Sequence, residues 1–324
     1  MNTKLRENLP LFVTAGIFIL LFAIASIRYA PNFCSLPNIA NLFVNNAAIG
    51  IISVGMTLVI FSGGIDLSVG AVAGFTNIFV ATLITTHGWN PLAAMFVTMV
   101  LGILFGAAQG VVIQVFKQPA FLVTLAGMFF ARGCAYWVST ASVTINDPLY
   151  TSLTGVTLKL GRDNVHPLPA IIFLAVFAAA YVVSHHMRFG RNLLAIGGSE
   201  QSAMLMGLPV GATKIAAYAI CGGCAALSGL VNTLFTSSGN SVYGIGYELD
   251  AIAIVVIGGT LLTGGRGHMF GTLCGFLIIG TIKLAIAFDG SLSSSWISII
   301  TGGLLLGFIL FQRLLLRATQ KKLT

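Results

Sequence analysis

Charge is what this sequence has least of. Only 7% of its 324 residues are Asp, Glu, Lys or Arg, against about 25% in soluble domains. No polar stretch runs longer than about thirty residues between apolar runs, which leaves no room for a soluble domain. The phosphate-cradling pattern G-x-x-x-x-G-K-[ST] is missing, and the dipeptide Gly-Lys never occurs; nucleotide therefore has no loop to bind here. The eight acids do not cluster with His and Cys, which argues against a membrane metalloenzyme. Cysteine is sparse: Cys34, Cys134, Cys221, Cys224 and Cys274. Only Cys34 falls near an outer face, so no disulfide framework is implied. Cys221 and Cys224 have the redox spacing C-x-x-C, but they lie among small residues inside an apolar run without a βαβ pattern, and read as packing residues.

Hydrophobic residues, by contrast, make up 57% of the chain, and mean hydropathy is +0.98. A helix needs roughly 20 apolar residues to cross a bilayer. The runs predict an all-α integral membrane protein, a single transmembrane domain over 1–324. Ten spans are expected, over about 9–27, 45–62, 66–86, 91–116, 119–139, 167–187, 213–235, 247–263, 267–288 and 295–313. Pro91, Pro119, Pro167 and Pro169 stand at span entries, where a missing N–H costs least. The net charge of +8 comes from single basic residues scattered between apolar runs, which is membrane topology and not a nucleic-acid surface.

With the N-terminus inside, Lys4, Arg6, Lys117, Arg188, Arg191, Lys214, Arg266, Arg313, Arg317, Lys321 and Lys322 are cytoplasmic, and only Arg28, Lys159 and Arg162 are outside. The positive-inside rule thus places both termini in the cytoplasm. Arg132 and Lys283 fall within or near the ends of spans. "AIAS" at 23–26 resembles a cleavage site, but the apolar run before it is longer than a signal peptide needs, so the first span is expected to stay.

An internal repeat is visible. "SGGIDLSVGAVAGF" (62–75) and "TGGRGHMFGTLCGF" (263–276) share Ser/Thr-Gly-Gly, five residues, Gly, three residues, Gly-Phe. With a two-residue slip, "NNAAI" (45–49) stands against "ELDAI" (248–252). The copies are read as about 45–116 and 247–313. The pairs Gly63–Gly64 and Gly264–Gly265 are expected to break helices, as in transporters whose interrupted helices line a route. Six spans separate the copies, which makes them parallel; one span fewer would make them inverted.

Four acids lie in or beside spans: Asp66, Glu248, Asp250 and Asp289. A charge at a helix centre costs about 2.5–3.5 kcal/mol on the lenient insertion scale, so each needs a partner or water. Asp66 follows paired glycines where a helix should begin, and reads as a cap bonding Ser68 or Val69 N–H, or as part of the route. Glu248 and Asp250 cap the eighth span, bond hydroxyls of a cargo or meet a partner. Asn45 and Asn46, their repeat counterparts, suit hydroxyls or interhelical packing.

The longest cytoplasmic segment is 187–214. In "GGSEQSAMLMGL", Ser199 reads as an N-cap, Glu200 and Gln201 as the first turn and Gly207 as the stop, with Pro209 beyond. Met204, Leu205 and Met206 offer an adaptable apolar surface. Glu200, Ala203 and Gly207, spaced E-x2-A-x3-G, resemble the loop by which ATP-binding-cassette (ABC) importer permeases touch their ATPases. "RFGRNLLAIGGSE", "SGGIDLSVG" and "ELDAIAIVVIGGTLLTGGRG" are similar to permeases of the ribose, xylose and galactoside type. "TLAGMFFARG" (124–133), "INDPLY" (145–150) and "FDGSLSSSW" (288–296) most resemble permeases of galactofuranose importers. The resemblance covers essentially the whole chain.

It implies a bacterial inner-membrane, multi-pass permease subunit that binds no cofactor itself. ATP and Mg would sit on a cytoplasmic ATPase touching 188–212, at Arg188, Gly190, Gly198, Glu200, Ala203 and Gly207. A second permease subunit, either a copy of this chain or, as the galactofuranose resemblance favours, a different one, and a periplasmic sugar-binding protein complete the assembly. A proton-coupled secondary transporter is the other reading, and ribose or another aldose the other cargo. One departure from the family stands at Arg266–His268, where a small residue is usual near His268.

Overall fold

The computed structural model describes residues 9–160, 163–293 and 295–320. Lys4, Arg6, Arg162, Lys321 and Lys322 lie outside the described residues, as do the side chains of Arg313 and Arg317. Each of the ten expected spans contains a helix, although 247–263 is helical only to Ile257. They form α1 (Leu9–Arg28), α2 (Leu36–Phe61), α3 (Val69–Thr85), α4 (Pro91–Val115), α5 (Ala120–Val138), α7 (Leu168–His186), α10 (Val210–Thr236), α11 (Tyr247–Ile257), α12 (Met269–Asp289) and α13 (Ser295–Gln320). Seven, namely α1, α2, α4, α5, α7, α10 and α12, are long and apolar enough to cross a membrane by length and composition; α3 and α13 have shorter apolar cores.

Three differences from the sequence reading matter. Helix α2 begins nine residues earlier than expected, because Ser35 with Pro37 opens it at a favourable position for proline. Helix α11 ends at Ile257, since Gly258 and Gly259 turn the chain, and Gly259 has φ +89°. At 11 residues it is about 16 Å long, half of a bilayer core. The segment between α5 and α7 is also not a plain loop. It holds helix α6 (Pro148–Thr154), the short ribbon β2–β3 (Leu158–Leu160 with Asp163–Val165), and strand β1 (Val143–Thr144), which pairs antiparallel with β4 (Ser238–Gly239). Asp147 caps α6 by accepting from Leu149 N–H, and Tyr150 anchors it to α10 through Thr233 at 2.7 Å.

Helices α2 and α10 are the centre of the bundle. In their most apolar windows 83% and 67% of residues are buried, against 11% for α1 and 17% for α5, so the latter two present their surfaces to lipid or to another subunit. Between membrane helices hydrophobicity supplies no attraction, and close packing by small residues takes over. Accordingly Gly102, Gly106 and Gly110 of α4 lie against Gly222, Tyr218 and Ile215 of α10; a Cβ on Gly106 would stand 3.1 Å from Gly222 Cα. Cys221 and Cys224 pack against Gly55 of α2 as small residues.

The bundle has a basic end, where α4, α7 and α12 meet their loops at Lys117, Arg188 and Arg266, with Lys214 near the start of α10. The opposite end carries the two ribbons and α6, and there Tyr29 donates to Asp289 at 3.0 Å.

Candidate functional site

At the basic end three paired glycines converge. Gly63 and Gly264 touch through their backbones, and Gly265 N–H donates to Phe61 O at 3.1 Å. The third pair, Gly197–Gly198, closes α8 (Arg188–Gly198): a Cβ on Gly265 would lie 2.6 Å from Gly198 N. Gly63, Gly264 and Gly265 all have φ between +76° and +80°, a backbone state that side chains resist. From this junction α3 and α12 both run toward the opposite end, α12 reaching it at Asp289 beside Tyr29 and α3 at Thr85 beside Thr144. The two matching segments therefore have the same sense in the bundle.

Asp66 lies two residues past Gly64 and is fully buried. Its Oδ1 accepts from both Ser68 N–H (2.9 Å) and Ser68 O–H (2.6 Å), and the carboxyl group lies beside the Cys221 thiol. Gln109 of α4 donates to Ser68 Oγ at 2.9 Å and extends the network. The formal cap of α3 is Ser68; Asp66 fixes the turn in front of it. Neither oxygen reaches a solvent-exposed surface.

The segment after α7 is built of two helices. Helix α8 packs on α2, α7 and α10, with Gly190 seated against the Ser184 backbone. Helix α9 (Glu200–Leu205) opens with Ser199 accepting from Ser202 N–H. It closes with Gly207 at φ +77°, beyond which Leu208 N–H returns to Ala203 O. Ala203 is buried beneath it, and Glu200 pairs with Lys214 of α10 at 2.5 Å. Glu200 is 40% exposed, so the pair contributes only about 0.5 kcal/mol; its effect is to fix α9 against α10. Met204, Leu205 and Met206 stand 57%, 84% and 69% exposed. A cleft of about 250 Å³ between Lys117, Glu200, Lys214 and Ser62–Gly64 leads from this surface to the glycine junction.

Helix α11 and the run of turns before it carry the remaining candidates. Residues 240–246 descend beside α3, with Gly244 against Gly70 and Gly239 against Asn77 and Ile78. Non-helical backbone at membrane depth must have its polar groups satisfied by protein or water. Arg132 of α5 does this: its guanidinium donates to Ser241 O (2.6 Å), Tyr243 O (2.8 Å) and Gly70 O (3.2 Å). Asn77 accepts from Asn240 N–H and donates to Gly229 O. Glu248 lies against Gly70 near Arg132, and Asp250 pairs with Lys283 of α12 at 3.4 Å. Asn46 is buried and donates to Leu42 O within its own helix, whereas Asn45 is exposed.

His268 caps α12 by accepting from Phe270 N–H, its ring 4.0 Å from that of His185.

A model of the family described as "Branched-chain amino acid transport system / permease component" matches residues 38–309. The chain belongs to this permease family. It is 46% identical over 309 residues to the inner membrane ABC transporter permease protein YjfF of Escherichia coli K12, covering 95% of this chain and 93% of that one. Similarity to the fructose import permease protein FruG of Bifidobacterium longum is 36% over 314 residues (95% and 92%). For the ribose import permease protein RbsC of E. coli K12 it is 38% over 270 residues, covering 82% of each. No solved structure matches the permease. It is a multi-pass inner-membrane transport subunit and not an enzyme.

The candidate residues thus fall into two groups in the permease. Gly63, Gly64, Gly264, Gly265 and Gly198 meet at the basic end, with Glu200 nearby across the cleft. Asn45, Glu248 and Asp250 lie away from them. Sequence reasoning missed Gly197, Arg132, Lys283 and Asn77. The first carried no distinguishing signal, since Gly-Gly also occurs at 222–223, 258–259 and 302–303; Arg132 and Lys283 carried the signal of any ionisable residue inside a span.

Proposed function

We propose that this permease carries a monosaccharide, galactofuranose, into the cell across the inner membrane as one subunit of an ATP-driven importer. The observation that carries the reading is the presentation of α9. Its Met204, Leu205 and Met206 are solvent-exposed at the basic end, while Glu200–Lys214 and the glycine junction tie its base to both helix breaks. A partner ATPase, which holds ATP and Mg, docks on this apolar ridge, and its closure moves α8–α9 against the junction. The basic end is cytoplasmic by the positive-inside rule. A periplasmic sugar-binding protein delivers cargo at the opposite end, and a second, non-identical permease subunit completes the route.

Import of sugars is supported by the relatives named for fructose and ribose import. Galactofuranose is supported by the segments 124–133, 145–150 and 288–296. Reconstitution with the ATPase, second permease and binding protein tests the reading. Uptake of galactofuranose should require ATP and all partners. Uptake by this chain alone, abolished by collapsing a proton gradient, would instead establish a secondary transporter. A binding protein that takes only ribose would change the cargo.

A further inference from the structure

The depth of the α11 acids can be read from its packing on α12. Gly258 meets Gly271 and Ile254 meets Gly275, a regular antiparallel register that places Asp250 abreast of Ile279 and Glu248 abreast of Thr281. At 1.5 Å per residue those levels lie about 15 and 12 Å below the Asp289 end of α12. Helix α12 spans about 30 Å, so Asp250 stands at its midpoint. Lys283 reaches down one turn to meet it. Asn46 packs beside Gly280 of α12 at the same level, and its neighbour Asn45 is exposed.

At this depth the Asp250–Lys283 pair is not enclosed. Its side chains are 25% and 24% exposed, and Leu249 between the two acids is 60% exposed. An ion pair facing hydrocarbon at mid-membrane is strongly unfavourable, so such groups face water or protein. The half-helix also begins here, with Gly246 as its cap and two acids in its first turn. Acidic side chains suit a helix N-terminus, where the dipole favours negative charge.

From this placement we infer that Asn45, Glu248, Asp250 and Lys283 line the water-filled sugar route at mid-membrane, with the Asp250–Lys283 pair exchanging hydrogen bonds with sugar hydroxyls as cargo passes. The chemistry fits a neutral polyol. A carboxylate accepts from hydroxyls, an ammonium and an amide donate to them, and the net charge of the paired groups is zero. A water-exposed pair that opens by a small rotation offers both without a large desolvation cost. This inference rests on the sugar-import reading for its cargo, but not for water access.

Two measurements test it separately. Single cysteines at Lys283, Asn45 and, as the lipid-facing comparison, Leu20 (60% exposed on α1) are introduced into the assembled transporter with its five native cysteines replaced. A charged, membrane-impermeant thiosulfonate should modify Lys283→Cys and Asn45→Cys at least tenfold faster than Leu20→Cys. Equal rates would overturn the route assignment, whatever the cargo proves to be. Uptake of galactofuranose from its loaded binding protein is then compared between wild type, Asp250→Leu/Lys283→Met and the swap Asp250→Lys/Lys283→Asp. The apolar pair should lose tenfold or more in uptake with the complex still assembled, and the swap should recover much of it. Wild-type uptake by the apolar pair, or dissociation of the second permease, would overturn the hydroxyl-exchange role. Failure of wild type to import sugar would fall on the transport reading alone.

Discussion

Gly264 stands against Gly63, so close that a Cβ on the former would lie 2.5 Å from the backbone nitrogen of the latter. These are the matching positions of two similar segments 201 residues apart, and each follows a helix and precedes another. Contact between bare backbones leaves no flexible side chain to absorb a displacement. Gly197–Gly198 at the end of α8 joins the same contact. A push on α8–α9 would therefore meet both helix breaks at once, which is the mechanical link that the proposed docking of an ATPase requires. We read the shared frame and the shared sense of α3 and α12 as the product of duplication.

Gly264→Ala should be among the most damaging small substitutions. It sets a side chain at φ +80°, which costs about 1–2 kcal/mol for an L-residue, and drives a methyl group into the Gly63 backbone. The expected result is a lower Tm in detergent and loss of uptake. Gly302→Ala, with open space around it, should leave both unchanged. Equal behaviour of the two variants would remove the junction from the mechanism.

Leu205→Asp separates docking from folding. Leu205 is 84% exposed, so a charge there should move Tm little, surface changes usually staying within about 0.5 kcal/mol. An apolar ridge that binds a partner should lose most of its affinity, and co-purification of the ATPase should fall tenfold or more. Retained co-purification would place the docking surface elsewhere.

Asp66 is expected to act through its shape. Both of its hydrogen bonds fall on Oδ1 and come from Ser68, and an amide oxygen accepts in the same way. Asp66→Asn should keep at least a third of wild-type uptake, whereas Asp66→Leu, which leaves Ser68 N–H and Ser68 O–H without their acceptor, should lose nearly all. If both variants are equally inactive, the charge itself is required.

His268 gives the basic end a pH dependence of known sign. Burial, and secondarily the neighbouring His185 ring, lowers its pKa from 6.5 to about 4. The folded state therefore resists a proton that the unfolded chain accepts. The stabilisation is fully present above about pH 6.5 and is lost as pH falls from there toward 4. His268→Asn replaces the capping ring nitrogen with an amide oxygen and cannot titrate. Its Tm should decline less than that of wild type between pH 6.5 and 4.5, and parallel curves would assign the acid sensitivity to another group.

How much of this was legible in the sequence depends on the kind of interaction. The apolar runs announced every long helix, because hydrocarbon demands them. The cap–stop grammar of Ser199 and Gly207 announced α9, because both act locally. What the runs could not show was that 247–263 is a half-helix and a turn, since a short buried helix and a span are equally apolar. Nor could they show that Gly197 meets Gly265, because contact across 68 positions leaves no periodic trace. At Asp66 local grammar was enough to show the bond to Ser68 N–H, although the helix itself starts only at Val69, after the cap residue Ser68.

Arg132 holds the segment before α11 in place, and its removal should be felt as instability before it is felt as lost selectivity. Three carbonyls, Ser241 O, Tyr243 O and Gly70 O, depend on one guanidinium, and an orphaned buried acceptor costs about 1–3 kcal/mol. Glu248 would also lose its nearby cation. Arg132→Met should therefore lower Tm and the yield of monodisperse protein sharply, by several kcal/mol if the losses add. Arg132→Lys should fall between, since an ammonium has three donors but not the planar reach of the fork. Should Arg132→Met melt with wild type, the descending segment must be held by Asn77 and the β1–β4 ribbon alone, and the guanidinium would then be free to face the route.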